Sequence, residues 1–354
     1  MKTSLKFLTF NIRHDHGPDS PYQPFAAPPQ NPTFKHEQAW AIRKWKVADT
    51  VLLYEPDIIG FQEPVHHQVI DLEALLDDYD WIGVGRDDGE QKGEYSAVFY
   101  KRDKVTVENW KTIWLSETPE VAGSKGWDAN NVRAATQVLF KRKEDGQTFT
   151  VLNAHLDHRG LEARRGAASL LLEQVKHQEG LVILMGDLNS PEDDPAYQIL
   201  TSEHYNGRKD ENNTLRHLEP LNDKAASLYA QKTGQPIRTG ENKITLPTHR
   251  VFRRPVLEHQ QQEETQPVSF LDARYELITR LKDSKALSGP YGYGDTFTSF
   301  GTGEDAEKAP LRLDYILYHS PVAVDVLQFG VLCNQYDDGL YISDHRPVIA
   351  KLAW

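Results

Sequence analysis

Short apolar bursts separated by polar punctuation run through the chain, some with a period of two and others with a period of three to four. Leu5–Asn11 reads as a strand. Pro18, Pro21, Pro24, Pro28, Pro29 and Pro32 follow closely, which excludes a helix or central strand and predicts an extended loop over about 17–33. Thr33 is placed to cap a helix running to about Tyr54, with Trp40, Val47 and Val51 on one side and Pro56 stopping it. Asp57–Gln62 is a second strand. His66–Tyr79 carries Val69, Leu72, Leu75 and Leu76 at helical spacing.

Further on, Trp81–Val84 and Tyr95–Lys101 read as strands around a charged loop, Gly85–Glu94. Val105–Leu115 and Ala135–Lys141 are strands flanking a polar loop that holds Trp127 and Arg133. Asp145-Gly146 predicts a hairpin turn into Phe149–Ala154, which delivers His155. Leu161–His177 is a helix, and Leu181–Met185 is a buried strand ending at Gly186. Residues from about 191 to 288 are mixed and polar. Thr296–Phe300, Leu311–Tyr318, Val324–Leu332 and Pro347–Trp354 return to strand patterns. On pattern alone, strands alternating with helices suggest a parallel, doubly wound sheet.

The strand ends change the picture. Asp187 and Asn189, two residues apart at the exit of an apolar strand, point to the same side of an extended chain. A carboxylate beside an amide suits a hard cation or a phosphate. Taken singly this is an ordinary turn, but Asn11, Glu63, His155 and the pair Asp344 and His345 stand at other strand ends. Asp314 interrupts the apolar run Leu313, Tyr315, Ile316, Leu317, and a buried carboxylate there needs a partner. A carboxylate-rich set without cysteine favours Mg²⁺, with Mn²⁺ as a substitute.

Composition narrows the classes. With 39% hydrophobic residues, 7 Trp and 13 Phe, the 354-residue chain has material for a sizeable core. Its formal net charge of -12 argues against broad, non-specific nucleic-acid binding. The one cysteine, Cys333, rules out an intrachain disulfide or thiolate metal site. The first residues lack an apolar signal core, and no run approaches the roughly 18 residues of a membrane span. A cytoplasmic protein without a membrane span is the expectation.

Six segments, in order, then point to one family. They are Thr9-Phe10-Asn11-Ile12-Arg13, Ile59-Gly60-Phe61-Gln62-Glu63, Asn153-Ala154-His155-Leu156-Asp157-His158, Gly186-Asp187-Leu188-Asn189, Arg312-Leu313-Asp314-Tyr315-Ile316 and Ser343-Asp344-His345-Arg346-Pro347-Val348. Together they resemble the motifs of the endonuclease/exonuclease/phosphatase (DNase I-like) superfamily. The segments Trp114–Pro119 and Gly123–Asp128 resemble a branch distinct from its repair nucleases. The resemblance implies a four-layer α/β sandwich, with two packed mixed sheets flanked by helices, in one domain over 1–354. The proline-rich loop and the elaboration at about 191–288 depart from the family pattern and bear on substrate, not chemistry.

The resemblance also implies roles. Glu63, Asn11 and Asp344, with Asp187, would hold the metal. Asp187 would orient and deprotonate water, and Asn189 would donate to the phosphate. His155 and His345 would stabilise phosphoryl charge, with Asp314 orienting His345 and Glu94 orienting His155. Arg133 and Arg13 are candidate phosphate contacts. The reading is a Mg²⁺-dependent phosphoesterase acting on a small phosphorylated substrate, such as a sugar phosphate, inositol phosphate or phosphodiester. A nuclease of deadenylase or DNA-repair type is the alternative, with nucleic acid the less favoured partner. A catalytically silent phospho-ligand-binding module is the third reading.

Overall fold

The computed structural model describes residues 2–15, 36–176, 178–202, 268–277, 291–301 and 311–354. In chain order the elements are β1 (Ser4–Asn11), α1 (Trp40–Tyr54), β2 (Ile58–Gln62), α2 (His66–Leu75), β3 (Tyr79–Ile82), β4 (Ser96–Lys101), β5 (Val105–Trp114) and β6 (Ala134–Arg142). They continue with β7 (Thr148–His155), α3 (Leu161–Lys176), β8 (Leu181–Asp187), α4 (Pro195–Leu200), β9 (Leu271–Asp272), β10 (Tyr291–Gly292), β11 (Asp314–His319), β12 (Asp325–Val331) and β13 (Val348–Ala353).

The strands form two mixed sheets, ordered β10-β12-β13-β1-β2-β4-β3 and β5-β6-β7-β8-β11-β9. Among the described strands, β1 with β2, β7 with β8, and β10 with β12 pair parallel, and the isolated bridge of Leu277 to Val326 is parallel too. The doubly wound sheet suggested by the alternation of elements is therefore replaced by an α/β sandwich. The central strands are apolar on both faces, one covered by the other sheet and one by helices. Leu5, Phe7, Ile58 and Ala350 of the first sheet meet Phe149, Val151, Ile183 and Ile316 of the second between the sheets. The alternate residues Leu8, Phe10, Ile59 and Phe61 face α1 and α2 through Trp40, Val47, Val51, Val69 and Leu72. Val182, Leu184, Tyr315 and Leu317 face α3 and α4.

Period-two alternation has a second consequence. Along the inter-sheet face, β1 reads Leu5, Phe7, Thr9, Asn11, and β7 reads Phe149, Val151, Asn153, His155. On the same face β8 reads Leu181, Ile183, Met185, Asp187. Each strand thus passes from apolar to polar side chains toward one end of the sandwich. Burying one such apolar side chain contributes about 1.5–3 kcal/mol, and one unpaired buried polar group costs a comparable about 1–3 kcal/mol. The polar end is therefore stable only if its groups are paired.

Element boundaries differ from the sequence reading for local reasons. Helix α1 begins at Trp40 and ends where Glu55 turns left-handed (φ 48°) before Pro56; Thr33 lies outside the described residues, as does the proline-rich loop. Helix α2 stops at Leu75, because Tyr79 is already paired with Lys101 in the sheet. Thr296–Phe300 is not a strand. Phe297 makes single bridges to Leu311 and His345, and a 3-10 turn follows at Ser299–Gly301. Within the polar elaboration, the described part includes α4, started by Pro195 and capped by Asp194, whose side chain accepts the Ala196 N–H.

Candidate active site

The polar strand ends converge at one end of the sandwich. Asp187, 1% exposed, closes β8. Strand β8 reaches that position through Gly186 (φ 148°), where a Cβ would stand 1.9 Å from the Ala154 carbonyl oxygen of β7. No side chain fits there. Asp187 Oδ2 is the hub of the site. Asn11 Nδ2 donates to it at 3.0 Å, His155 Nε2 lies 3.6 Å away and His345 Nε2 3.7 Å away. The other oxygen, Oδ1, accepts the Asn189 backbone N–H at 2.9 Å.

Glu63 follows β2 in a left-handed conformation (φ 70°). Asn11 Nδ2 donates to its Oε1 at 2.9 Å, while its Oε2 accepts from the backbone N and Nδ1 of His14 at 3.1 and 2.9 Å. Asn11 therefore bridges two carboxylates with its amide nitrogen, and its oxygen accepts the Arg13 N–H. Arg13 (φ 58°) pairs with Glu37 at 2.9 Å and stands 3.8 Å from Glu63. Asn189 (φ 45°) directs its Nδ2 to the Leu156 carbonyl at 3.0 Å. Arg13, Glu63 and Asn189 all occupy the left-handed region that favours glycine.

Asp314 opens β11 directly opposite Asp187. It is fully buried, and its Oδ2 accepts from His345 Nδ1 at 2.7 Å. Ser343 ties the last motif to the first, donating to the Asn11 carbonyl at 2.6 Å and accepting the His345 N–H. Arg43, a buried α1 side chain, holds the same two segments by donating to the carbonyls of Ile12, Arg13, Ile342 and Gln38. Asp344 is buried, accepts from Ser343 Oγ at 3.2 Å, and acts on Arg13 through its charge.

On the other flank Arg133, 5% exposed, reaches the His155 ring with Nη1, 3.0 Å from Nδ1 and 2.9 Å from Nε2. Its Nη2 donates to His158 Nδ1 at 3.1 Å. Glu94 lies 3.6 Å from His155 Nδ1 and takes a two-pronged contact from Arg86. Sequence reasoning missed His14 and His158, and named Arg86 only as a residue that could line a nucleic-acid path, not as the partner of Glu94. His14 and Arg86 sit in irregular loops without periodicity. His158 was within reach, since it belongs to the same segment as His155. Its neighbour Asp157 accepts the backbone N–H groups of Asn130, Asn131, Arg159 and Gly160.

Electrostatics separate groups that the sequence treats alike. Burial raises the Asp187 pKa, and the Asp314 charge adds to this against the pull of His345 and His155. Burial also opposes charge on His345, but Asp314 and Asp187 outweigh it and hold that ring well above its ordinary value. At His155, burial and the Arg133 cation win over Glu94, and the pKa falls. Burial would raise Glu63, yet His14, Arg13 and His155 hold it well below the carboxylate range. Glu94 is brought down to about 2 against its burial, chiefly by Arg86. The site thus contains one carboxylate disposed to take a proton and one imidazole disposed to keep one.

Donor atoms of Glu63, His155 and Asp187 lie within 4.8 Å of one another, as do those of Asp187, Asp314 and His345. Two carboxylates and an imidazole, with the carboxylates drawn together by one amide, fit a divalent oxygen-seeking ion. Asp344 belongs to neither group among the described residues.

This combination of sandwich and site defines a phosphoesterase-type fold of the DNase I-like class. The pattern of the Endonuclease/Exonuclease/phosphatase family matches residues 8–345, and the chain belongs to that family. Members of the family are hydrolases acting on phosphate esters. An endonuclease/exonuclease/phosphatase from Bacteroides vulgatus is 28% identical, with 99% of each chain covered and a TM-score of 0.69. A mannosyl-6-phosphatase from Bacteroides thetaiotaomicron is 26% identical, covering 99% of this chain and 100% of that one, with a TM-score of 0.65. Nocturnin from Drosophila melanogaster is 26% identical over 182 residues. That match spans 46% of this chain and 26% of Nocturnin's length. No helix among the described residues is long and apolar enough to cross a membrane.

Proposed function

We propose that the protein is a Mg²⁺-dependent phosphoesterase that hydrolyses a phosphate ester of a small substrate, a sugar phosphate in the first instance. The observation that carries this reading is the hub at Asp187, where a buried carboxylate of raised pKa meets a cationic His345 and a second carboxylate, Glu63. Likeness over the full chain to a mannosyl-6-phosphatase supports the substrate class, and the net charge of -12 disfavours a polyanion.

Glu63 and Asp187 would hold the ion, with Asn11 and Asp344 completing its surroundings. An ion held there would supply Lewis-acid polarisation of a phosphoryl oxygen and offset charge on the leaving oxygen. Asp187 would orient the attacking water and take its proton. Asn189 fixes the Asp187 carboxylate through its backbone N–H and offers its amide to the phosphate. His345, kept cationic by Asp314, faces the charge that builds on the phosphoryl group and has a proton to give. His155, oriented by Glu94, and Arg133 donate on the other side, while Arg13 acts through Glu63.

Phosphate or alcohol release is measured from sugar phosphates, inositol phosphates, glycerophosphodiesters, single-stranded RNA and abasic duplex DNA, with Mg²⁺, Mn²⁺ or EDTA. Metal-dependent turnover of the small esters is expected, with kcat about a hundredfold lower or worse in Asp187→Ala and His345→Ala. Preference for the polymers, or near-wild-type turnover in either variant, refutes the reading.

A further inference from the structure

The two sheets divide the active site between them. The first supplies Asn11 and Glu63 and, through the segment before β13, Asp344 and His345. The second supplies His155, Asp187 and Asp314. Bonds that matter for chemistry cross the seam, Asn11 to Asp187 at 3.0 Å and His345 to Asp314 at 2.7 Å. Groups that gain and lose protons are poor spacers, because each protonation change alters the bond that sets the spacing.

An inert spacer lies one layer below. Asn153 of β7 is fully buried on the inter-sheet face. Its Nδ2 donates to the backbone carbonyls of Phe61 in β2 and Ala97 in β4, at 2.9 and 2.8 Å. Its Oδ1 accepts from Gln62 Nε2 at 2.6 Å, and that nitrogen also reaches Thr9 Oγ1 at 3.0 Å. Facing it is Gly60, where a Cβ would stand 2.7 Å from Asn153 Oδ1. The amide therefore fits only because β2 carries no side chain at that point. His155 follows Asn153 by two residues and Glu63 follows Phe61 by two, so one clamp holds the roots of both.

We propose that Asn153 is a positioning residue that, seated against Gly60, sets the sheet separation at the active end and with it the alignment of the two halves of the catalytic site. Its kinetic consequence rests on the phosphoesterase reading; its geometric consequence does not.

The test is a double-mutant cycle of Asn153→Ala and Gly60→Ala, with three readouts. These are kcat and KM, the downfield NMR resonance of the His345 ring N–H bonded to Asp314, and the melting temperature with and without Mg²⁺. Each single variant is expected to lower kcat by about tenfold or more, to leave KM within about twofold, and to shift the resonance. The double variant is expected to be no worse than the poorer single one, because the new methyl enters space the amide has vacated. If Asn153→Ala does not fold, Gly60→Ala decides alone, since it removes no hydrogen-bonding group. Folded Gly60→Ala with wild-type kcat and an unmoved resonance overturns the proposal, as do strictly additive effects in the cycle. A wild-type protein that turns over no phosphate ester defeats the functional reading only. The resonance and the Mg²⁺-dependent melting shift then decide the role of Asn153.

Discussion

Replacing Asp314 by asparagine isolates the charge that holds His345 cationic. The substitution keeps size and an acceptor oxygen for His345 Nδ1, 2.7 Å away, but deletes the leading favourable influence on that ring's pKa. An opposite charge at such range is worth about 1–3 pK units, or about 1.4–4 kcal/mol in favour of the protonated ring. The sign follows from the direction of the shift. His345 has a raised pKa, so its cation is present below the folded value and lost as pH rises through it. Activity that needs the cation therefore falls on the alkaline side, and Asp314→Asn moves that limb of the kcat/KM profile about 1–3 units toward acid. Above the new limb the rate should drop about 10- to 1,000-fold, and below it should recover most of the wild-type value. Asp314→Asn leaves the buried ring without its counter-charge, so the melting temperature should fall where the wild-type ring is protonated, and the loss should shrink as pH rises through the His345 pKa. The assay is a pH series of initial rates on the ester that gives the highest turnover. An alkaline limb that stays in place refutes the reasoning.

Three further outcomes follow from geometry already described. Gly186→Ala forces a methyl onto the Ala154 carbonyl and should cost about 3 kcal/mol or more in urea unfolding; an unchanged midpoint contradicts the close β7–β8 approach. Arg43→Lys places its donors on one nitrogen, which cannot reach the four carbonyls of Gln38, Ile12, Arg13 and Ile342, and should destabilise by about 2–4 kcal/mol. Equal stability by chemical denaturation would show that the guanidinium fork is dispensable. Glu94 has a lowered pKa, so its stabilising contribution is complete above the unfolded value of about 4.3 and lost as pH falls toward about 2. The stability gap between wild type and Glu94→Gln should shrink over that window, and a gap constant with pH would refute the pairing with Arg86.

Strand ends were legible in the sequence because period-two alternation is a strong constraint. Asn11, His155 and Asp187 each end a strand face that begins apolar, and nothing in a core explains them. Asp314 was legible for the same reason. The architecture was not legible from periodicity alone, since a strand apolar on both faces looks the same in a doubly wound sheet and in a sandwich. Family resemblance supplied that distinction. Loop contributions were the least legible. His14 bonds Glu63 and Arg86 bonds Glu94, but their positions follow from chain paths that local pattern does not encode.

The left-handed backbones at Arg13, Glu63 and Asn189 have a practical consequence for anyone improving this protein. Each costs about 1 kcal/mol or more that glycine would avoid. At 13 and 63 the buried contacts to Glu37, Asn11 and His14 outweigh that gain, so a library sorted on heat resistance alone should enrich glycine at 189, selecting a sturdier protein that has shed the amide. That codon is the one to lock before such a screen begins.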